Sequence, residues 1–207
     1  MLGFWFGVSL SLAALPAGDF LPQPTTVDER MAQAERLRAQ GKTGTAAELA
    51  CEDLVLNELY LCFRRVEGEV ARFVTQAELA AWGASTADLR ARAASLLTTN
   101  PLQLRTIDGG GHYYEVICPP GREAVVLLHP EWLMSVGPVP LVTNPVYGVM
   151  LVWDARDPEV NKIVAVGARK MFDGYPLPIS PLVYRWNGAG FVAWGDARSR
   201  DPTAPRP

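Results

Sequence analysis

The sequence predicts an α+β fold, with N-terminal helices followed by a largely antiparallel sheet built from hairpins. Three observations predict it. Helix-start signatures of one kind, a Thr or Ser followed three residues later by Glu or Asp, recur at Thr26/Glu29, Thr45/Glu48, Thr75/Glu78 and Ser85/Asp88. Beyond residue 100 the apolar residues fall into short runs separated by Gly, Pro, Asn and Asp. The chain has 207 residues, 49% hydrophobic and 20% charged, which suits one domain with a full core.

Met1–Gly18 carries no charged side chain and ends in the small residues Ala13, Ala14, Ala17 and Gly18. As a helix it would span roughly 27 Å, just short of the ~30 Å bilayer core. Residues 1–18 therefore predict a signal peptide or anchor, and with it export to the periplasm or the medium. No Lys or Arg precedes the run. The alternative is an apolar element buried in a cytoplasmic domain. Residues 19–53 predict a Pro-broken linker (DFLPQPT) and an αα-hairpin. Thr26 opens its first helix, to Gln40, with Met31, Ala34 and Leu37 on one face. Thr45 opens the second, through Asp53.

Residues 54–196 predict the α+β domain. Leu59, Leu61 and Phe63 alternate with Tyr60 and Cys62, Glu67-Gly68 turns, and Val70–Val74 returns as the partner strand. Thr75 starts a helix ending near Gly83; Ser85 starts another to Thr99, with Leu89, Ala93 and Leu96 inward. Leu102–Ile107 and His112–Cys118 flank an Asp-Gly-Gly-Gly hairpin loop. Ala124–Leu128 reads as a strand, and Pro130 starts a short helix through Met134. A Pro-rich crossing (Gly137–Pro145) precedes a hairpin of Tyr147–Trp153 with Lys162–Ala168. Leu182–Trp186 and Phe191–Trp194 form a hairpin about Asn187-Gly188. Residues 197–207, charged and Pro-rich, predict a disordered tail.

Thr75–Asn100 (TQAELAAWGASTADLRARAASLLTTN), followed by strands and the HPEWL segment His129–Leu133, resembles the bacterial YtpQ-like domain, a family of unknown function. The resemblance covers residues 54–194. It rests on the order of elements and on Trp82-Gly83-Ala84-Ser85, and implies no catalytic residue.

A net charge of −3 and a pI near 5.5 lack the basic footprint that phosphate backbones require, so no nucleic-acid partner is expected. Cys51, Cys62 and Cys118 allow at most one disulfide, and Cys51 could pair with Cys62 if their elements pack together. With two His at these spacings they match no metal pattern, and no cofactor is implied. His112 and Cys118 share a strand face but stand about 20 Å apart along it. The Gly109–Gly111 run passes from strand to strand and reads as a turn, unlike a phosphate cradle. Glu52-Asp53 and Asp154 with Asp157 read as helix surface and turn. A hydrolase would need His129 with Cys118 or with a carboxylate.

One segment combines two cations, an acid and two aromatics in what reads as a loop between strands: Arg169, Lys170, Phe172, Asp173 and Tyr175. Loops carry function, and Arg with aromatics is what interface anchors favour. The expectation is a non-enzymatic binding or protein-interaction module of the bacterial cell envelope, with a protein or small-ligand partner. Membrane contact would come only through residues 1–18, if uncleaved. The alternatives are the hydrolase and a structural envelope component.

Overall fold

A computed structural model of the chain describes residues 15–55, 58–96, 103–107, 110, 112–119 and 121–196. Most of the expected export segment and the expected tail lie outside the described residues. Two antiparallel sheets and helices make the fold α+β. A small sheet joins β1 (Phe20–Thr26), β2 (Cys51–Val55), β3 (Leu59–Glu67) and β4 (Val70–Phe73), with β3 paired to the other three. Six strands form the large sheet: β5 (Gln103–Thr106), β6 (Tyr113–Ile117), β7 (Pro140–Val146), β8 (Val149–Asp154), β9 (Leu182–Trp186) and β10 (Phe191–Asp196). Their order is β10-β9-β7-β8-β6-β5.

The large sheet separates two apolar cores, and its strands show the period of two that this requires. On β8, Met150 and Val152 face the main core, while Leu151 and Trp153 face the second. Leu182 and Tyr184 of β9 likewise point one way and Val183 the other. The main core is shared with Phe20, Leu59, Leu61 and Phe63 of the small sheet and with Leu79 and Leu89 of α2 (Gln76–Trp82) and α3 (Thr86–Ala94). The second core is closed by Val160 and Val164 of α5 (Pro158–Gly174).

The signatures at Thr75/Glu78 and Ser85/Asp88 are full capping boxes, each side chain bonding the other's backbone N–H. Thr26 caps α1 (Val27–Ala39) by accepting from the Glu29 N–H at 3.3 Å. The hairpin of β3 with β4 and that of β9 with β10 form as expected, as does the pairing of β5 with β6. Pro130 opens α4 (Pro130–Leu133), with His129 as its N-cap residue.

Five expectations are corrected. The linker is β1, an edge strand, where Pro22 and Pro24 are tolerated. The second helix of the αα-hairpin is a 3-10 turn (Gly44–Ala47) followed by β2. Sheet bonds outcompete the local cap there: the Ala50 N–H donates to Val74 O at 2.8 Å, and Ala50 O accepts from the Phe63 N–H at 3.1 Å. Ala124–Leu128 lies within a wholly buried 3-10 turn, Glu123–Leu128. The Pro-rich crossing is β7, buried on both faces and so without alternation. Lys162–Ala168 is part of α5, not a strand. Asp157 caps that helix by accepting from the Glu159 and Val160 N–H groups, both at 3.1 Å, and Pro158 starts it. Val160, Val164 and Ala168, four residues apart, then lie buried along one side.

Candidate functional site

The segment singled out in the sequence is the last turns of α5, not a loop. Arg169 and Asp173 are an exposed pair at 3.4 Å, one helical turn apart. Lys170 is exposed, and Tyr175 stands 61% exposed at the helix end. Phe172 is the member that faces a groove. It lines a depression of about 530 Å³ with Val27, Glu29, Ala32, Pro178 and Ile179. The five residues therefore do not converge on one point.

Beyond α5 the chain forms an exposed strap. Leu177 is 67% exposed and has φ 59°, in the left-handed region where a branched side chain is strained. Hydrogen bonds hold the strap at each end. The Tyr175 N–H donates to Met171 O at 2.9 Å, Leu177 O accepts from the Tyr147 N–H at 3.1 Å, and the Ile179 N–H donates to Pro145 O at 2.9 Å. A second groove, about 570 Å³, lies on the strap's other flank, between Leu177–Ile179, Glu29, Gln33 and Arg36 of α1, Gln23–Thr25 of β1, and Arg64, Phe73 and Tyr147.

Behind that groove lies a feature the sequence does not announce. Glu123, 3% exposed, accepts from the Gly148 N–H through Oε1 at 3.0 Å. Its Oε2 has no hydrogen-bond partner among the described residues. Burial pushes its carboxyl above the usual carboxylate range, against the backbone N–H groups of Glu123, Gly148 and Gly121 and the charge of Arg64. Gly148 belongs to the two-residue β7–β8 turn and has φ 82°, which explains a glycine there. Asn144 braces the turn from inside, donating to Val146 O at 3.2 Å and to Val149 O at 2.5 Å. Gly121, at φ 81°, passes so close to Tyr147 that a Cβ would come within 2.5 Å of its Oη.

Arg64 forms the wall between groove and interior. It donates to Gln23 Oε1 at 3.1 Å and to Ala71 O at 2.7 Å, and its guanidinium lies within 6 Å of the Phe73 and Tyr147 rings. Its buried Nε has no hydrogen-bond partner among the described residues. A chamber of about 10 Å³ is lined by Leu21, Gln23, Arg64, Gly121, Glu123 and Tyr147.

Of the groups considered for hydrolysis, His129 meets a carboxylate, that of the exposed Glu131. His129 Nδ1 lies 2.8 Å from Glu131 Oε1 and Nε2 lies 3.1 Å from Ala94 O, so both ring nitrogens are engaged at the surface. The half-buried Cys118 thiol is pushed up to about 11 by burial and then by Glu123, the reverse of an activated nucleophile. His112 Nδ1 stands 4.0 Å from Asp157 Oδ2, the α5 cap. Glu52 pairs with Arg90 at 2.6 Å and Asp154 with Arg156 at 2.7 Å. Among the described residues no three His, Cys, Asp or Glu side chains come together as a metal site. Cys51 and Cys62 are disulfide-bonded across β2 and β3, as directly opposed strand partners rather than helix to strand.

No family model matches this chain, and no curated protein or solved structure does either. The site's meaning rests on its own chemistry.

Proposed function

We propose that this chain is a non-enzymatic interaction module of the bacterial cell envelope that engages a protein partner through the strap following α5. The observation that carries the reading is the strap itself. Tyr175 and Leu177 project two large apolar side chains into solvent from backbone held at Met171, Tyr147 and Pro145, one of them at a strained φ. A rigid, exposed aromatic with an aliphatic neighbour loses little entropy on docking, and strain held in place is characteristic of binding segments. Arg169, Lys170 and Asp173 supply a charged rim on the adjoining helix.

Export is supported by two features. The Cys51–Cys62 disulfide suits an oxidising compartment, and Met1–Gly18 has the apolar, small-ended composition of a leader. Leu15, packed against the main core, and Ala17, whose carbonyl accepts from Arg65 at 3.4 Å, place contacts at the end of that segment. Among the described residues no helix is long and apolar enough to cross a membrane.

The test is co-purification from native cells with the wild type and a Tyr175→Ala/Leu177→Gly double variant. Glycine relieves the positive φ, so the variant keeps its thermal transition while the partner is lost. A partner recovered equally with both proteins overturns the strap as the docking element. Fractionation of the same cells checks the compartment; protein found in the cytosol with reduced Cys51 and Cys62 contradicts export.

A further inference from the structure

We propose that the groove between α1 and the strap takes a neutral saccharide, one hydroxyl of which enters the chamber behind it and bridges Arg64 Nε–H to Glu123 Oε2. This goes beyond the protein-docking reading and stands without it.

Arg64 and Glu123, which both line the chamber, each hold a buried polar atom that the described residues leave unpaired, the donor Nε–H and the acceptor Oε2. Such a pair is costly unless something completes it. Each class of completing group can be weighed. A metal ion or an ammonium would suit the carboxylate but would meet the Arg64 guanidinium in the same wall. An anion would suit Arg64 but would meet Glu123. A hydroxyl satisfies both, because it donates one proton and accepts through its lone pairs. The volume of about 10 Å³ admits one group of that size and no more.

The groove continues the same chemistry outward. It shares Gln23, Pro24, Arg64 and Tyr147 with the chamber wall, so the two spaces are neighbours through those side chains. Glu29 and Arg36 add one charge of each sign, leaving the lining, with Glu123 and Arg64, balanced overall. Gln23 and Gln33 bring planar amides, held by Arg64 and Glu29, and Phe73 and Tyr147, beside the Arg64 guanidinium, add aromatic surface to the lining. About 570 Å³ holds a mono- or disaccharide. A ligand dense in hydroxyls, uncharged and flat on one face matches each of these features.

The experiment is titration of the isotope-labelled full chain with a fixed panel of glucose, N-acetylglucosamine, galactose, mannose and cellobiose, followed by amide chemical shifts. The expected result is saturable shifts at Gly121 and Gly148 with at least one sugar. Glu123→Gln keeps an oxygen for the Gly148 N–H but turns the second position into a donor facing Arg64. It weakens binding about tenfold or more, as loss of a hydrogen bond to a charged group does. Phe73→Ala, on the groove face, weakens it severalfold, and Lys42→Ala, at an exposed position outside the groove lining, leaves it unchanged. No saturable shift at those glycines with any sugar of the panel overturns the proposal and leaves the chamber to an ordered water. Equal affinity in the wild type and Glu123→Gln overturns it as well.

Discussion

His129 and Glu123 stand at opposite ends of the buried 3-10 turn, and they differ in how their polar atoms are satisfied. His129 is the residue that chemical intuition picks from the sequence, since imidazole titrates near neutrality and a thiol lies eleven positions away. Its two nitrogens rest on Glu131 and Ala94, so its role is to tie α4 to the end of α3. Glu123 looks ordinary in a run of apolar residues, yet it is buried with one oxygen committed to Gly148 and the other unpaired among the described residues. Reactivity tracks unmet polar demand, and that depends on burial rather than residue type.

Four measurements test this contrast. The largest effect is expected from Gly121→Ala, which places a Cβ at a positive φ and against the Tyr147 hydroxyl. It costs about 2 kcal/mol or more in chemical denaturation; no loss would mean that the Glu123 pocket is loosely packed. Next comes the Cys118 thiol, pushed up to about 11. Iodoacetamide at pH 8 should modify it roughly a hundredfold more slowly in the folded than in the unfolded chain, followed by mass spectrometry. Comparable rates would contradict the desolvated thiol.

The third measurement is Glu123→Gln across pH. The folded carboxyl holds its proton more tightly than the unfolded one, so its contribution to stability is complete at acid pH and fades as pH rises through the raised value. The variant should therefore gain stability relative to the wild type as the pH rises, read by chemical denaturation at acid and neutral pH. The gain should fade as the pH falls into the ordinary carboxyl range. A gain that grows on acidification would reverse the assignment. The smallest effect belongs to Glu131→Gln, whose exposed contact to His129 is worth less than about 0.5 kcal/mol. A larger loss would give the His129 end a burden that its exposure does not suggest.

What could be read locally was read correctly where the decisive forces are local. Thr75 with Glu78 and Ser85 with Asp88 close their boxes within three residues, and the β3–β4 and β9–β10 hairpins are closed by short turns. Where an element takes its identity from a distant partner, local reading failed. Pro22 and Pro24 look like a linker until β3 supplies an edge for them. Lys162–Ala168, rich in β-branched residues, reads as a strand until the apolar face of the large sheet selects Val160, Val164 and Ala168 as a helical stripe.

Composition and spacing alone determined the α+β class, two of the helix starts with their complete boxes, and the net charge of −3. They determined these because capping, turn chemistry and net charge act within a few residues or simply sum along the chain. Only the tertiary structure decided that Cys51 meets Cys62, that Arg169–Tyr175 ends a helix, and that Glu123 shares a chamber with Arg64 from 59 positions away. Desolvation is a property of what surrounds a group from all sides, and those surroundings are gathered from segments that sequence proximity does not connect.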